Sequence, residues 1–233
     1  MEVIYKDKEL IICHKMPGIP VQTSKFGQKD MVGMLKSALV LEQEAADVYV
    51  VHRLDQPVEG IIAFARTKQA AASLSRQLQE NGMDKQYLAL VEGQIEEPEG
   101  ILTGYLLRDG KSNTSRVVPK GTSGAKYARL SYQALASITV AERPLCLVRV
   151  KLDTGRHHQI RVQLAHAGIP LAGDKKYNPS CPPGYLPIGL CATHLSFLHP
   201  SNSQPMRFSI TPKGGLFTKI PQLSQYLHPS HTP

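Results

Sequence analysis

The residues of this chain that could do chemistry begin with His52-Arg53-Leu54-Asp55, where an acidic side chain lies close to a basic one. The apolar run 48–51 directly before them predicts a buried strand. A carboxylate at the end of a strand is commonly aimed into a cleft as a reactive group. The same acid could instead belong to a simple surface ion pair, and the segment alone leaves both interpretations open.

A second polar cluster is Thr154-Gly155-Arg156-His157-His158-Gln159-Ile160-Arg161, which follows a predicted strand ending at Leu152. We expect a helix from about Arg156 to just before Gly168, with Ile160, Leu164 and Ala167 as its buried stripe. His157 and Arg161 would then lie one turn apart at the start of the helix. They could hold a carboxylate from elsewhere in the fold or an RNA phosphate, or be plain surface charge. Against plain surface charge stands the position of Arg161 next to a buried stripe, where an Arg loses hydration that only a well-placed acid restores.

The elements that must position these residues are strands more often than helices. A hairpin is expected over 3–5 and 10–14, and further strands over 86–92, 127–136 and 145–152. Asp30 and Thr67 are the expected N-caps of two helices, which run to about Glu44 and Asn81. Several strands follow one another with no helix between them, which predicts an α+β fold with a mixed, mostly antiparallel central sheet and flanking helices.

Composition limits what the chain can do. Its 233 residues, 42% hydrophobic, suit one large domain or two small ones. A net charge of +8 would attract phosphate backbones, although solubility alone could explain it. Without an apolar stretch of membrane-spanning length or a signal peptide, we expect a cytoplasmic protein with no membrane partner. The cysteines lie far apart, which disfavours a metal site and disulfides; they are Cys13, Cys146, Cys181 and Cys191.

The polar stretch 109–125 interrupts the strands and is rich in basic residues. It could be a mobile basic loop that grips RNA, or an ordinary solvated hairpin connection. Its run from Gly121 to Lys126 lacks two features of a phosphate-binding loop, namely four residues between the two glycines and a Ser or Thr after the Lys. We therefore reject a nucleotide-hydrolysing function.

Four motifs occur in a recognisable order. They are the opening from Asp7-Lys8-Glu9-Leu10 to Lys15-Met16-Pro17-Gly18; His52-Arg53-Leu54-Asp55 with Gly60 downstream; Lys85-Gln86-Tyr87-Leu88-Ala89-Leu90-Val91-Glu92-Gly93; and Thr154 to Arg161 followed by Gly173-Asp174 and Tyr177. Together they resemble the RluA family of RNA pseudouridine synthases, and the likeness continues through 190–200. The resemblance implies a catalytic domain over 1–210, built on a long antiparallel sheet with a basic cleft. We expect the tail 211–233 to pack loosely, and the small N-terminal S4-like domain of many relatives to be absent.

The resemblance also implies roles for single residues. Asp55 would be the catalytic carboxylate that starts the isomerisation of uridine to pseudouridine, by attack on the sugar or the base or by assisting elimination. Arg161 would pair with this Asp and keep it charged. Tyr87 would pack on the uracil, although a strand Tyr can also simply fill the core. Arg53 would occupy the space of the extruded uridine.

The remaining candidates for substrate binding are His52, Arg156 and His157. His52 is expected to act as a positioning residue more than as an acid or base, and His157 could cap or pack as readily as touch RNA. The chemistry that the resemblance implies needs no cofactor and no metal.

One segment departs from the family pattern: Gln56-Pro57-Val58-Glu59 stands where relatives usually carry a basic or polar residue and then hydroxyl residues. We expect Glu59 to add negative charge near the RNA path. The predicted function is isomerisation of specific uridines in rRNA or tRNA by a monomer. The alternatives are a catalytically silent RNA-binding or RNA-folding protein and a nucleoside glycosidase-like hydrolase, the latter weakened by the absence of a second carboxylate.

Overall fold

The computed structural model describes residues 1–93, 95–140, 142–181 and 187–227. Over these residues the chain forms eleven strands, three α-helices and two short 3₁₀ helices, arranged in two compact units. The first unit comprises Met1–Lys85 and Ala192–Pro212, and the second Gln86–Cys191 and Lys213–Pro233. The strand pairs of both units are antiparallel, which confirms the predicted α+β fold with a mostly antiparallel sheet.

The first unit is built on neighbouring strands β1 (Glu2–Lys6), β2 (Leu10–Lys15), β4 (Glu59–Ala65) and β10 (Leu190–Leu198). The predicted hairpin is confirmed as β1 (Glu2–Lys6) and β2 (Leu10–Lys15), closed by an Asp7 side chain that accepts from two backbone nitrogens of the turn. β2 pairs with β4 (Glu59–Ala65), and β3 (Tyr49–Val50) pairs with the far end of β4. β11 (Pro205–Ser209) pairs with β10 (Leu190–Leu198).

No strand was predicted for β4, although every one of its residues is buried. Both of its faces are covered, so its sequence shows a continuous apolar run without the alternation that marks a half-exposed strand. Gly60 opens the strand at φ +148°, and a Cβ there would come within 2.4 Å of the Ala192 side chain. Glycine is therefore required where β4 runs against β10.

The two predicted helices of the first unit are confirmed, with earlier ends. α1 (Met31–Leu41) begins after Asp30, whose carboxylate accepts from the Gly33 nitrogen at 2.7 Å. α2 (Lys68–Gln79) begins after Thr67, whose hydroxyl oxygen accepts from the Ala70 nitrogen at 3.1 Å. These caps satisfy backbone donors that a helix start leaves unpaired.

The second unit carries β5 (Asp84–Val91), β9 (Arg143–Leu152), β8 (Lys126–Val140), β6 (Glu99–Asp109) and β7 (Thr114–Val118) as successive neighbours. Two strands cross the unit bounds: the first two residues of β5 belong to the first unit, and the first two residues of β10 belong to the second. The predicted strands over 86–92, 127–136 and 145–152 are confirmed with shifted ends. The stretch 109–125 is largely a hairpin connection and not a mobile loop, because β7 returns along β6 from Asp109 opposite Thr114.

The expectation of a loosely packed tail is wrong for the part of it that the structure describes. Two 3₁₀ helices, Gly215–Lys219 and Leu223–Tyr226, bury Leu216, Phe217, Ile220 and Leu223. Turns this short give no helical period in the sequence, so their apolar residues did not predict burial. Residues 228–233 lie outside the described part of the chain.

Candidate active site

Asp55 lies in the loop between β3 and β4, and not directly after a buried strand as predicted. β3 is only two residues long and half-buried, because residues 51–58 leave the sheet. The backbone nitrogen of Val58 donates to the Asp55 carbonyl oxygen at 3.0 Å, which closes a turn over residues 55–58. This turn leads directly into the buried β4, so the half-buried Asp55 side chain projects from a loop with a fixed end.

A buried lysine and a glycine tie the Asp55 turn to the end of β2. Lys15 is fully buried, and its Nζ donates to the carbonyl oxygens of Gln56 at 3.0 Å and of Val58 at 2.6 Å. The Gly18 nitrogen donates to the Gln56 carbonyl oxygen at 2.8 Å, and Gln56 Nε2 donates to the Gly18 carbonyl oxygen at 2.9 Å. Buried polar groups are stable only when paired, and here the pairing fixes the backbone after Asp55. Sequence reasoning had given Lys15 no role beyond its place in a motif.

Glu59 does not add charge to an exposed surface, so the expectation that it faces an RNA path is wrong. Its side chain is buried, and Glu59 Oε1 lies 2.7 Å from Nε2 of the buried His14. His14 stands on β2 opposite Ile61, next to the start of β4 where Glu59 lies. The carboxylate therefore meets a partner on the adjacent strand, which a reading of the segment 56–59 by itself could not reveal.

His52 and Arg53 are neighbours with opposite environments. The half-buried His52 accepts a hydrogen bond at Nε2 from the Ala63 nitrogen at 3.1 Å, which leaves Nδ1 to carry the ring proton. Burial is the main cause that lowers the pKa of His52 to about 3, and the nearby Lys85 ammonium contributes to the same shift. Arg53 is exposed and makes no hydrogen bond or ion pair with any residue that the structure describes. His52 thus holds the loop to β4, while Arg53 presents its guanidinium to solvent.

In the second unit, α3 (Gln159–His166) begins later than predicted. His158 precedes it at φ 53°, a left-handed conformation that cannot continue a helix, so His157 lies outside. The predicted juxtaposition of His157 and Arg161 along one helix is therefore wrong. Ala167 is exposed and does not join the buried stripe, whereas Ile160 and Leu164 do.

Arg161 is buried and held by an acid that sequence reasoning quoted without a role. Its Nε and Nη2 donate to the two carboxylate oxygens of Asp174 at 2.8 and 2.7 Å. The guanidinium carbon lies 5.1 Å from the centre of the Tyr177 ring. Such a two-point contact fixes the plane of the guanidinium and compensates its desolvation. The cost of a buried Arg predicted that an acid must accompany Arg161, and Asp174 is one such acid.

His157 and His158 link the start of α3 to the β6–β7 hairpin. Their rings stack at 3.7 Å, and both ring nitrogens of His157 reach the hairpin, with Nδ1 2.9 Å from Ser115 Oγ and Nε2 3.1 Å from Asn113 Oδ1. His158 Nδ1 lies 2.7 Å from the Tyr177 hydroxyl, which also accepts from the Ser115 nitrogen at 2.7 Å. These bonds favour the packing interpretation of His157 over contact with RNA.

The other two candidates of the second unit differ in exposure. Arg156 is exposed, and its Nε donates to the Tyr127 carbonyl oxygen at 2.8 Å. Tyr87 is buried on β5, where it stands opposite Val150 of β9. The candidates thus fall into two sets, with His52, Arg53 and Asp55 in the first unit and Tyr87, Arg156, His157 and Arg161 in the second.

Neither a metal centre nor a membrane span is found in the described ranges. No three or more His, Cys, Asp or Glu side chains gather there in a way that could hold a metal ion. No helix among the same residues has the length and apolarity needed to cross a membrane.

The part of the chain that matches known proteins contains most of the motif residues described above. The family of RNA pseudouridylate synthases matches residues 9–166, which hold the Asp55 loop, β5 and all of α3. This chain belongs to that family. The resemblance to the RluA group of these synthases, stated above on four motifs, is confirmed by relatives that match most of the chain.

Two curated relatives illustrate the match. The uncharacterized RNA pseudouridine synthase YhcT of Bacillus subtilis is 33% identical over 76% of this chain. Ribosomal large subunit pseudouridine synthase C of Escherichia coli K12 is 31% identical over 92% of this chain. The chain spans 57% of the length of the first relative and 67% of the second.

Solved structures of the family share the fold. Human RNA pseudouridylate synthase domain containing 1 matches with a TM-score of 0.74 at 22% identity, over 97% of this chain and 94% of the human one. Human RNA pseudouridylate synthase domain containing 4 matches with a TM-score of 0.73 at 21% identity, over 91% and 89%. The RNA pseudouridylate synthase fold therefore extends over nearly the whole chain.

Proposed function

We propose that this chain is an RNA pseudouridine synthase that isomerises uridines in structured RNA. The observation that carries the proposal is the Asp55 turn, because an acid in the family's motif is held there by four hydrogen bonds between its loop and residues 15–18. A carboxylate that must meet one atom of a nucleotide needs such a fixed backbone.

The proposed reaction breaks the glycosidic bond between C1′ and N1, turns the uracil and joins C5 to C1′. Asp55, as a carboxylate, starts the process and is released at its end. The hydrogen on C5 leaves as a proton, and N1 gains one, so the product is an isomer of the substrate. Neither a cofactor nor an oxidant is required by this balance.

We infer that Arg161 belongs to the catalytic machinery, in the role that the family resemblance gives it. The support is that Arg161 is buried and that Asp174 fixes the plane of its guanidinium. Tyr87 is assigned to the face of the uracil. Because Tyr87 is buried on β5, its ring is held rigidly, which suits packing against the uracil.

Arg53 is assigned to the RNA stack. Its exposed guanidinium, without an ion pair among the described residues, suits insertion in place of the extruded uridine. Arg156 is assigned to a phosphate, since it is exposed on the loop before α3. His52 is assigned to positioning of the Arg53–Asp55 loop, because its Nε2 is bound to the β4 backbone.

Large-subunit ribosomal RNA is our first choice of substrate class, supported by the name of the Escherichia coli relative, with tRNA as the second. Action in the cytoplasm, as a monomer, stays a prediction.

The test is to incubate the protein with rRNA and tRNA from cells that lack it and to map new pseudouridines. With uridines tritiated at C5, each turnover also releases one tritium, because C5 loses its hydrogen. We expect site-specific product and tritium release from the wild type and a loss of at least about a thousandfold for Asp55→Asn, with RNA binding retained. Asp47→Asn, which alters an exposed carboxylate of the same unit, should behave as wild type.

Each outcome decides between functions. RNA binding without product from the wild type would favour the silent RNA-binding protein, and release of free uracil would favour the hydrolase. Unchanged product from Asp55→Asn would remove Asp55 from the mechanism.

A further inference from the structure

The loop between β2 and α1 carries an aromatic side chain, Phe26, that no residue described by the structure covers. Phe26 is fully exposed, with 108% of its reference surface accessible. The residues on each side of it, Lys25 and Lys29, are exposed as well. Neither lysine has an ion-pair partner among the residues that the structure describes. An exposed Phe between two unpaired cations has no evident role in folding.

The loop is nevertheless held in one shape by its own hydrogen bonds. Asp30, the N-cap of α1, uses its second carboxylate oxygen to accept from the Thr23 nitrogen at 2.8 Å. The Thr23 hydroxyl donates to Gln28 Oε1 at 3.1 Å and accepts from the Lys25 nitrogen at 3.1 Å. The Gln28 nitrogen donates to the Lys25 carbonyl oxygen at 3.3 Å, around Gly27 at φ 75°. Phe26 therefore stands at the tip of a closed turn.

Aromatic rings beside cations are the means by which proteins bind unpaired nucleotides. The ring stacks on a base, and the lysines meet the phosphates on each side. A protein partner would instead favour an apolar surface of several residues, whereas this loop is otherwise polar or charged. The net charge of +8 of the whole chain also favours binding of RNA, which is a polyanion.

The loop also lies within reach of the candidate active site along the chain. Gly18, which binds Gln56 in the Asp55 turn, is eight residues before Phe26. A chain of that length spans at most about 28 Å, so one RNA of modest size could touch both.

We propose that Phe26, Lys25 and Lys29 form a second RNA contact, in which Phe26 stacks on an unpaired base outside the nucleotide that is modified. The proposal deepens the proposed function and rests on it in taking RNA as the substrate. It assigns to the loop a part in choosing RNAs that present a single-stranded base near the target uridine.

The absence of tryptophan from the chain makes a direct test possible. The full-length Phe26→Trp variant carries a single indole at the loop tip, and stacking of a base should quench its fluorescence. The probes are a twelve-nucleotide single-stranded RNA of mixed sequence and the same strand in a perfect duplex. We expect strong quenching by the single strand and little by the duplex. The matched control Leu41→Trp places an indole at the exposed end of α1, where 84% of the leucine surface is accessible, and should not be quenched.

Affinity supplies the second measurement. Phe26→Ala should weaken binding of the labelled single strand by at least about fivefold, while Leu41→Ala leaves it unchanged. Lys25→Ala and Lys29→Ala should each lower the salt dependence of binding by about one counterion. Equal quenching of both indoles, or an unchanged affinity for Phe26→Ala, would overturn the proposal.

Pseudouridine formation is measured in parallel to separate the two claims. Quenching and weakened binding without any product would uphold the RNA contact and refute the enzyme. Product formed by wild type with no quenching of the Phe26→Trp variant would refute the contact and leave the enzyme intact.

Discussion

Gln56 helps to hold the Asp55 turn through both its side chain and its backbone. The hydroxyl residues of the family pattern are absent after Asp55. The Gln56 side-chain amide donates to the Gly18 carbonyl oxygen, and the Gln56 backbone carbonyl oxygen accepts from the Gly18 nitrogen and from Lys15 Nζ. The Asp55 turn is thus held by Lys15 and Gly18, which lie outside the segment 56–59. The loop that departs from the family pattern is therefore fixed in this chain by hydrogen bonds.

Removing the amide should slow turnover more than it weakens RNA binding. Gln56→Ala loses one of the bonds between the turn and Gly18, so Asp55 is held less accurately, and we expect the single-turnover rate to fall by about tenfold. RNA affinity and the melting temperature should stay near wild type, because Gln56 is exposed. Gln56→Glu keeps the size of the side chain but loses the amide donor, so it should behave like Gln56→Ala.

Gln22→Ala is the matched control, since Gln22 is exposed in the following segment and makes no hydrogen bond within the described residues. A rate for Gln56→Ala equal to that of this control would mean that the amide does not position Asp55.

His52 should make stability depend on pH. The pKa of His52 in the folded chain, about 3, is below the ordinary histidine pKa of 6.5. At a pH between these two values the unfolded chain therefore binds a proton at His52 that the folded chain does not bind. The free energy of unfolding should therefore fall as the pH is lowered below about 6.5, by up to about 1.4 kcal/mol per pH unit. Above pH 6.5 this contribution is complete and constant.

Urea unfolding at pH 7.5, 6.0 and 5.0 measures that slope. His52→Gln should give a shallower slope than wild type, whatever its absolute stability. His166→Gln, at an exposed position on α3, should keep the wild-type slope. If both variants follow wild type, another group is responsible for the acid sensitivity.

At the scale of elements, the β6–β7 hairpin is fastened to the start of α3 by side chains and not by its own sequence. Tyr177 and His157 bind Ser115 and Asn113 of the hairpin, and Lys176 Nζ donates to the Asn113 carbonyl oxygen at 2.7 Å. The basic stretch 109–125 therefore presents its cations from an anchored hairpin. A mobile loop would lose more conformational entropy on binding RNA.

Tyr177→Phe should loosen this fastening. The substitution removes the acceptor of the buried Ser115 nitrogen and the partner of His158 Nδ1, so we expect a loss of about 1–3 kcal/mol in the free energy of unfolding. Faster amide hydrogen exchange should be confined to β7 and the start of α3. Tyr127→Phe is the control, since the Tyr127 hydroxyl makes no hydrogen bond with described residues. Equal stabilities of the two variants would contradict the assigned role.

Over the whole fold, patterns in the sequence predicted the three α-helices and six of the eleven strands that the structure describes. Thr67 and Asp30 were recognised as N-caps, and the alternating strands β8 and β9 were recognised apart from their ends, because caps and half-exposed strands leave local signals. Strands β4, β6, β7, β10 and β11 were not predicted, nor were the tail helices. The complete burial of β4 hides the alternation that marks a half-exposed strand, and single turns leave no helical period. The start of α3 was placed too early, since a His in the left-handed conformation is rare and carries no mark in the sequence.

Four ordered motifs in the sequence were enough to identify the family, and with it the candidate residues Asp55, Tyr87, Arg161 and Arg53. The sequence also indicated, on the grounds of desolvation, that Arg161 needs an acidic partner. That Asp174 is such a partner, that Lys15 and Gly18 hold the Asp55 turn, and that Glu59 is buried against His14 became known only from the folded structure. The reason is that a motif records which groups are present, whereas a hydrogen bond between residues as far apart as Lys15 and Gln56 exists only once the strands that carry them have paired.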